Sequence, residues 1–343
     1  MFSKIRAAIF AVAAIAVVAA AGPASASSLI NGAGATFPYP IYSKWFSEYA
    51  KVDPSVRFNY QSIGSGGGIK QITAQTVDFG ASDKPLSDAE LAAAPGKLLH
   101  IPTVMGAVVV TYNIPGIGTG LRLTPEAVSG IYLGKITKWN DPAIASVNKG
   151  ITMPNAPIIV VHRSDGSGTT AIFTNYLCHI NKQWNAKIGT GTSVNWPVGL
   201  GGKGNEGVSG QVRNTKYTIG YVELAYAYEN KLPFASLKNA SGNFVEPTIA
   251  STSAAAAGAA KNMPADYRIA LVNQPGKNAY PIAGFTYLLV YQHQKNHEKG
   301  KKLVEFLNWE LTHGQKMASA ILYAPLPANV AKMVAKTIKT IKY

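Results

Sequence analysis

Short apolar runs alternate with segments of helical periodicity along most of this chain, and that alternation restricts its fold more than any other feature. In residues 42–49 and 173–180, apolar side chains recur at i, i+3, i+4 and i+7, which is typical of amphipathic helices. Such helices in alternation with apolar runs indicate an α/β fold. The predicted strands are residues 56–61, 77–81, 104–113, 158–162, 219–223 and 285–291.

The first 26 residues have the pattern of a cleaved signal peptide. Lys4 and Arg6 precede an apolar run over residues 7–21, which is too short to span a bilayer comfortably, and residues 24–26 form an Ala-Ser-Ala cleavage site. We therefore expect an exported protein whose mature chain begins near Ser27. An uncleaved anchor is the disfavoured alternative, because the apolar run is short and a Gly-Pro pair follows it at once.

The composition is that of a globular protein with a large core and a basic surface. Apolar residues make up 47% of the chain and charged residues 14%. The 317 residues that remain once 26 are removed from 343 indicate two domains. The net charge of +15, or +13 without Lys4 and Arg6, favours an anionic ligand or surface. Nucleic acid is a poor candidate, because the basic residues are not clustered with interleaved aromatics.

Several weaker patterns predict structural features that have no functional role. Cys178 is the only cysteine, so no intramolecular disulfide forms, and its apolar surroundings predict a small buried side chain. Lysines alternate with apolar residues over residues 330–342, which predicts a helix with one buried face. The low-complexity stretch 250–260 is interpreted as a surface connection. We expect a monomer without a cofactor or metal.

Three glycine-rich turns stand where helices are predicted to begin. They are residues 32–38 (GAGATFP), 64–68 (GSGGG) and 165–170 (DGSGTT). The first N–H groups of a helix have no internal partner and lie at the positive end of its dipole, so an oxyanion is their natural ligand. Glycine lets the backbone approach the ligand, while Ser and Thr add hydroxyl donors. One such turn is a weak signal, but three in one chain indicate an anion site.

Two charged residues, one before the third turn and one at its start, add to this prediction. Arg163 ends a predicted strand, and a guanidinium can bind an oxyanion through two parallel hydrogen bonds. The alternative is a surface residue just past the strand. Asp165 follows two residues later, and it either holds the guanidinium in place or caps the turn.

Asp83 restricts the identity of the anion. It follows a predicted strand that delivers it to the same edge as the turns. A carboxylate repels an anion unless the anion carries a proton, because an ionised carboxylate only accepts hydrogen bonds. Phosphate near neutral pH keeps a proton and sulfate keeps none, so Asp83 favours phosphate and rejects sulfate. The alternative is that Asp83 caps the turn before Lys84 and Pro85.

At these positions the sequence resembles the periplasmic phosphate-binding proteins of the phosphate-specific ABC importer. That family has an α/β, two-lobed periplasmic-binding-protein fold of type II, in which each lobe is a mixed sheet flanked by helices and the ligand lies in the interlobe cleft. The resemblance covers most of the chain after residue 26, in the family's order. The matching stretches are GAGATFPYPIYSKW (32–45), the 63–68 turn, VDFGASDKPLSD (77–88), IYLGKITKW (131–139), HRSDGSGTT (162–170), NWPVGLGGKGNEGV (195–208) and IGYVELAYA (219–227).

The resemblance implies a set of phosphate-binding residues and a division into lobes. Asp165 is implied as the partner of Arg163, and for Phe37 we expect the backbone N–H, rather than the ring, to contact the ligand. Residues 27–106 with 283–343 are expected to form lobe 1, and residues 107–282 lobe 2. Permease subunits of an importer in the inner membrane are the implied partners. The implied phosphate ligands are Thr36, Phe37, Ser65, Asp83, Arg163, Ser167, Gly168 and Thr169.

Two other classes of function stay open at this point. One is an exported phosphatase or serine hydrolase that uses Ser167, although no G-x-S-x-G pattern surrounds it and His162 lies on the preceding strand. Among the histidines, only His293 and His297 have i, i+4 spacing, and a solvated loop is the preferred interpretation there rather than a metal site. The other class is a surface or adhesion protein with a basic face.

Overall fold

The computed structural model describes residues 27–343, and the predicted signal peptide lies outside the described residues. This part of the chain forms eleven strands and thirteen α-helices. The strands are β1 (Ser28–Gly34), β2 (Val56–Ser62), β3 (Phe79–Ser82), β4 (Leu98–Asn113), β5 (Arg122–Leu123), β6 (Ile159–Arg163), β7 (Leu200–Gly202), β8 (Thr218–Glu223), β9 (Ser236–Lys238), β10 (Phe244–Val245) and β11 (Ala283–Tyr291). The helices are α1 (Tyr39–Val52), α2 (Ser65–Thr73), α3 (Asp88–Ala92), α4 (Pro125–Tyr132), α5 (Pro142–Ala145), α6 (Gly168–Ile180), α7 (Lys182–Lys187), α8 (Gly204–Asn214), α9 (Leu224–Glu229), α10 (Ile249–Ala260), α11 (His297–Trp309), α12 (Gln315–Ala318) and α13 (Ala328–Ile338).

The long strand β4 joins the two halves of an eight-stranded sheet. Eight strands are hydrogen-bonded in the order β2-β1-β3-β11-β4-β8-β6-β7. Residues 98–107 of β4 pair antiparallel with β11, whereas residues 108–113 pair antiparallel with β8. We call β2-β1-β3-β11 with residues 98–107 the first half-sheet, and residues 108–113 with β8-β6-β7 the second half-sheet.

Each half-sheet contains both parallel and antiparallel pairs. In the first, β1 is parallel to β2 and β3, and β11 is antiparallel to β3. In the second, β6 is parallel to β7 and β8. The α/β, two-lobed fold with a mixed sheet in each lobe is therefore confirmed. The lobe boundaries after residues 106 and 282 stay predictions.

The first glycine-rich turn is shorter than predicted, because its glycines belong to a strand. Gly32 and Gly34 lie in β1, which the sequence analysis missed. The Phe79 ring covers Gly32 so closely that a Cβ there would overlap it. Only glycine fits under this ring, and β1 is hard to recognise because its SLINGAG sequence has few residues of high β-propensity.

The second glycine-rich segment is the first turn of a helix and does not precede one. Helix α2 begins at Ser65, with Gly64 at φ 85° before it. A Cβ on Gly68 would lie 2.5 Å from the Cα of Gly34, so α2 packs directly on the end of β1. This packing outweighs the low helix propensity of the three glycines.

The structure tests three of the predictions that carried no functional role. The interpretation of residues 250–260 as a surface connection is wrong, because they form α10, which has a Thr248 capping box and a buried alanine face. Helix α13 confirms the predicted buried face, with Val330, Val334 and Ile338 inside. Cys178 on α6 is only half-buried, and this burial raises the pKa of its thiol.

The described residues contain neither a metal-binding cluster at the histidine pair nor a membrane-crossing helix. His293 and His297 are both exposed, as predicted, but His297 begins α11 and so does not lie in a loop. In residues 27–343 no group of three or more His, Cys, Asp or Glu side chains is placed to hold a metal ion. Over the same range, no helix combines the length and the apolar character that crossing a bilayer requires.

Candidate functional site

The starts of four helices meet between the two half-sheets. The Gly66 N–H at the start of α2 donates to the carbonyl of Gly166, just before α6, at 2.8 Å. Asn205 at the start of α8 donates from Nδ2 to Thr36 Oγ1 at 2.8 Å and to Thr169 Oγ1 at 3.2 Å. Thr36 lies just before α1, and Thr169 lies in the first turn of α6. The unpaired N–H groups and positive dipole ends of these helices make the region attractive to an anion.

Arg163 stands at the end of β6 as a buried and fixed cation. Its side chain is 1% exposed, and Asp165 holds it in a bidentate ion pair, with Nε–Oδ1 at 2.8 Å and Nη2–Oδ2 at 2.6 Å. Although burial alone raises the pKa of Asp165, the bonds and charge of Arg163 and the N–H of Gly204 hold it below its usual value. The pair thus orients the guanidinium toward Thr169, whose Oγ1 is 3.4 Å from Nη1.

Asp83 follows β3 and presents one carboxylate oxygen without a partner. Oδ1 accepts from Thr286 Oγ1 at 2.8 Å, and the backbone N–H donates to Ser65 Oγ at 3.1 Å. Oδ2 is buried and has no hydrogen-bond partner among the described residues. A Cβ added to Gly168 would lie 2.5 Å from Oδ2, so this oxygen faces the start of α6. Such an acceptor can take a hydrogen bond from a ligand at this position.

Burial raises the pKa of Asp83 to about 7, although the Thr286 hydrogen bond and the charge of Arg163 lower it. A raised pKa means that Asp83 contributes stability below its unfolded pKa near 4, and that this contribution is lost as pH rises through 7. In phosphate-free buffer, Asp83→Asn should therefore raise the melting temperature at pH 8 and have little effect at pH 4. The difference between the folded and unfolded pKa values of Asp83 corresponds to about 4 kcal/mol of unfolding free energy at most.

Thermal unfolding of both proteins between pH 4 and 8 measures this difference. Burial also raises the pKa values of Glu223 and Glu310, but these groups are present in both proteins and so cancel in the comparison. A difference in melting temperature that does not change with pH would show that Asp83 does not titrate in this range.

The remaining predicted residues lie at the same place. Ser167 caps α6, and its Oγ accepts from the Thr170 N–H at 3.0 Å, which leaves the hydroxyl proton for another acceptor. The Phe37 ring is buried and its carbonyl accepts from Tyr323 at 2.7 Å. Within residues 27–343 the Phe37 N–H has no hydrogen-bond partner, so the backbone is the part of Phe37 available to a ligand.

The structure thus gathers all the predicted side chains into one buried region, and it adds residues that the sequence analysis missed. Thr286 binds Asp83 from β11, where it is one polar residue in an apolar run. Gly204 and Asn205 begin α8 within the GGKGNEG segment. This segment has the same glycine-rich character as the other turns, which was the available signal.

Comparisons with known proteins find relatives that match most of the chain. The model of the PBP superfamily domain matches residues 19–312. Phosphate-binding protein PstS of Pasteurella multocida is 47% identical over 312 residues, which is 91% of this chain and 90% of that protein. Phosphate-binding protein PstS of Haemophilus influenzae is 46% identical over 319 residues, or 93% of this chain and 95% of that protein.

Solved structures of lower identity share the fold. The phosphate-bound structure of the high-affinity periplasmic phosphate-binding protein PfluDING is 24% identical, with a TM-score of 0.72 over 90% of this chain and 93% of that one. A phosphate-binding protein from Stenotrophomonas maltophilia is 21% identical, with a TM-score of 0.69 over 90% and 94%. From the superfamily match and the identities to its relatives, we conclude that this chain belongs to the PBP superfamily and, within it, to the PstS family of phosphate-binding proteins.

Proposed function

We propose that this protein is a substrate-binding protein that captures one inorganic phosphate ion and delivers it to an ABC importer. The relatives reported above are named phosphate-binding proteins, and they align with nearly the whole chain. The buried helix starts supply N–H and hydroxyl donors, and Arg163 supplies positive charge. This combination suits a small oxyanion enclosed between two lobes.

The unpartnered oxygen of Asp83 is the observation that carries the assignment to phosphate. An anion beside Oδ2 is stable only when one proton lies between the two oxygens. Because the pKa of Asp83 is about 7, either the carboxyl group or the phosphate can bring that proton. Sulfate near neutral pH brings none, so its binding requires protonation of Asp83 and should weaken as pH rises above 7.

Gly168→Ala tests whether the ligand is enclosed by close contact between the lobes. The added Cβ would overlap Ser65 Oγ and Asp83 Oδ2. We expect phosphate affinity to fall by about 5- to 100-fold, because an overpacked contact costs about 1–3 kcal/mol and the lobes must separate to relieve it. Calorimetric titration measures the loss.

Gly210→Ala in α8 is the matched control for this substitution, because a Cβ at Gly210 meets no atom within 4 Å. This control should bind phosphate like the wild type. Wild-type affinity in Gly168→Ala would contradict the closed contact.

A hydrolase has less support from the geometry. Ser167 Oγ is engaged as a helix cap, and the His162 ring stacks on Trp196 at 4.8 Å, with Nδ1 3.0 Å from the Arg163 carbonyl oxygen. No base is placed on Ser167 within the described part of the chain. Incubation of the purified protein with p-nitrophenyl phosphate should release no p-nitrophenol, whereas phosphate should bind with a stoichiometry of one. Ester turnover that is lost in Ser167→Ala would overturn the proposal.

The cellular setting that follows from this function is periplasmic. We propose that residues 1–26 are removed as a signal peptide, and that residues 27–106 with 283–343 and residues 107–282 move as two lobes. The change of partner within β4 after residue 107 supports the first of these boundaries. The monomeric protein would present both closed lobes to permease subunits in the inner membrane.

A further inference from the structure

Asn205 lies between two hydroxyl groups of the candidate site. Its Nδ2 is 2.8 Å from Thr36 Oγ1 and 3.2 Å from Thr169 Oγ1, and its backbone N–H is 3.3 Å from Thr36 Oγ1. Asn205 and Thr169 are fully buried, and Thr36 is 2% exposed. These hydrogen bonds are therefore shielded from solvent and strongly directional.

The orientation of the Asn205 amide is fixed by a third contact. The backbone N–H of Glu223, at the end of β8, donates to Asn205 Oδ1 at 3.1 Å. An N–H has to meet the carbonyl oxygen of the amide rather than its NH₂ group. The NH₂ group therefore points at the two threonines, and both hydroxyl oxygens act as acceptors.

A hydroxyl oxygen that accepts in this way has its proton left to donate elsewhere. Thr36 Oγ1 accepts from both the side chain and the backbone of Asn205, and Thr169 Oγ1 accepts from Asn205 and, at 3.4 Å, from Arg163. A hydroxyl has two lone pairs and one proton. With the lone pairs engaged, each proton is directed away from Asn205 and is free to donate to another acceptor.

We propose that Asn205 is a positioning residue that turns the hydroxyl protons of Thr36 and Thr169 toward the bound anion, so that both threonines act as donors. The inference rests on the proposed capture of phosphate. Thr36 follows β1 of the first half-sheet, whereas Thr169 and Asn205 begin helices that follow β6 and β7 of the second. The same amide therefore links the two lobes when the donors are aligned.

A double-mutant cycle tests the dependence on the two hydroxyls. Asn205→Ala is expected to weaken phosphate binding by about 10-fold or more in the wild-type background, since one buried polar partner is lost. In a Thr36→Val/Thr169→Val background, which keeps the side-chain shape but has no hydroxyl to orient, it should cost less than about 2-fold. Asn205→Ser is measured in both backgrounds as well, so that the coupling is obtained even if the alanine variant is poorly folded.

Asn205→Asp adds a pH signature that a packing role would not give. When ionised, the new carboxylate accepts both hydroxyl protons and withdraws them from phosphate; when protonated, it regains a donor. At pH 8 the phosphate affinity of this variant should be more than about 100-fold below that of the wild type. At pH 5 the loss relative to the wild type should be at least about 10-fold smaller. The loss in Asn205→Ala should be the same at both pH values.

The same titrations include a control variant, and some of their outcomes would contradict the proposal. Asn308→Asp, at an exposed position on α11, should leave affinity unchanged at both pH values. An equal cost of Asn205→Ala in both backgrounds, or wild-type affinity of that variant, would overturn the positioning role. A wild-type protein that binds no phosphate would instead overturn the proposed function, so the two failures are distinguishable.

Discussion

Arg163→Ala is expected to weaken phosphate binding by about 30-fold or more, because truncation of one buried charged partner costs about 2–5 kcal/mol. The guanidinium is buried and oriented by two bonds to Asp165, so it loses little freedom when it binds an anion. Removing it also leaves Asp165 as an uncompensated negative charge near the ligand. The protein should therefore lose affinity through both a missing donor and a new repulsion.

Two further variants make this result interpretable. Arg163→Lys keeps the charge and partly satisfies Asp165, but it loses the planar fork, so it should fold and still bind phosphate at least about 10-fold more weakly than the wild type. Arg57→Ala removes the same charge at an exposed position on β2 and should retain wild-type affinity. Calorimetric titration of the three variants tests the account, and comparable losses in Arg57→Ala and Arg163→Ala would mean that only net charge matters.

Asp83→Asn is expected to reduce the ratio of phosphate to sulfate affinity by about 100-fold or more, because each mismatched buried polar contact costs about 1–3 kcal/mol. The substitution replaces Oδ2, which faces the start of α6 without a partner, by an NH₂ donor, because Thr286 Oγ1 donates to Oδ1 and keeps the amide oxygen there. Phosphate then loses an acceptor for its proton, while sulfate gains a donor and no longer meets a negative charge. The two affinities should therefore change in opposite directions.

Competition titrations at pH 8 give this ratio most clearly, because Asp83 is mostly ionised there in the wild type. Asp88→Asn, whose side chain is 90% exposed, changes the net charge by the same amount and should leave the ratio unaltered. An unchanged ratio in Asp83→Asn would remove the proton-based explanation of selectivity.

Much of the site was predictable because local physics determines it. Ser167, Gly168 and Thr169 follow a strand and begin a helix, and the same pattern that caps a helix also exposes its N–H groups. The pairing of Arg163 with Asp165 spans two residues, so short-range geometry is enough to suggest it. The α/β class likewise followed from the alternation of apolar runs and helical spacing.

The parts that escaped prediction depend on contacts between distant segments. Strand β1 contains two glycines because Phe79 and Gly68 pack on it, and neither neighbour is visible in its local sequence. Asn205 lies 169 residues from Thr36, to which it is bonded, and the polar Thr286 is hidden in an apolar strand. Helix α10 was missed for another reason, since a run of alanine and serine was interpreted as low complexity, whereas its helix propensity is high.

Calorimetric titration of the mature protein with phosphate, and with sulfate in a separate experiment, measures whether the site binds one phosphate ion and discriminates against sulfate. We expect one phosphate per chain with a dissociation constant of about 1 µM or tighter. Sulfate should bind about 10-fold more weakly or worse at pH 8, since it requires protonation of Asp83, whose pKa is about 7. Equal affinity for phosphate and sulfate, or no binding of phosphate, would contradict the proposed capture of phosphate.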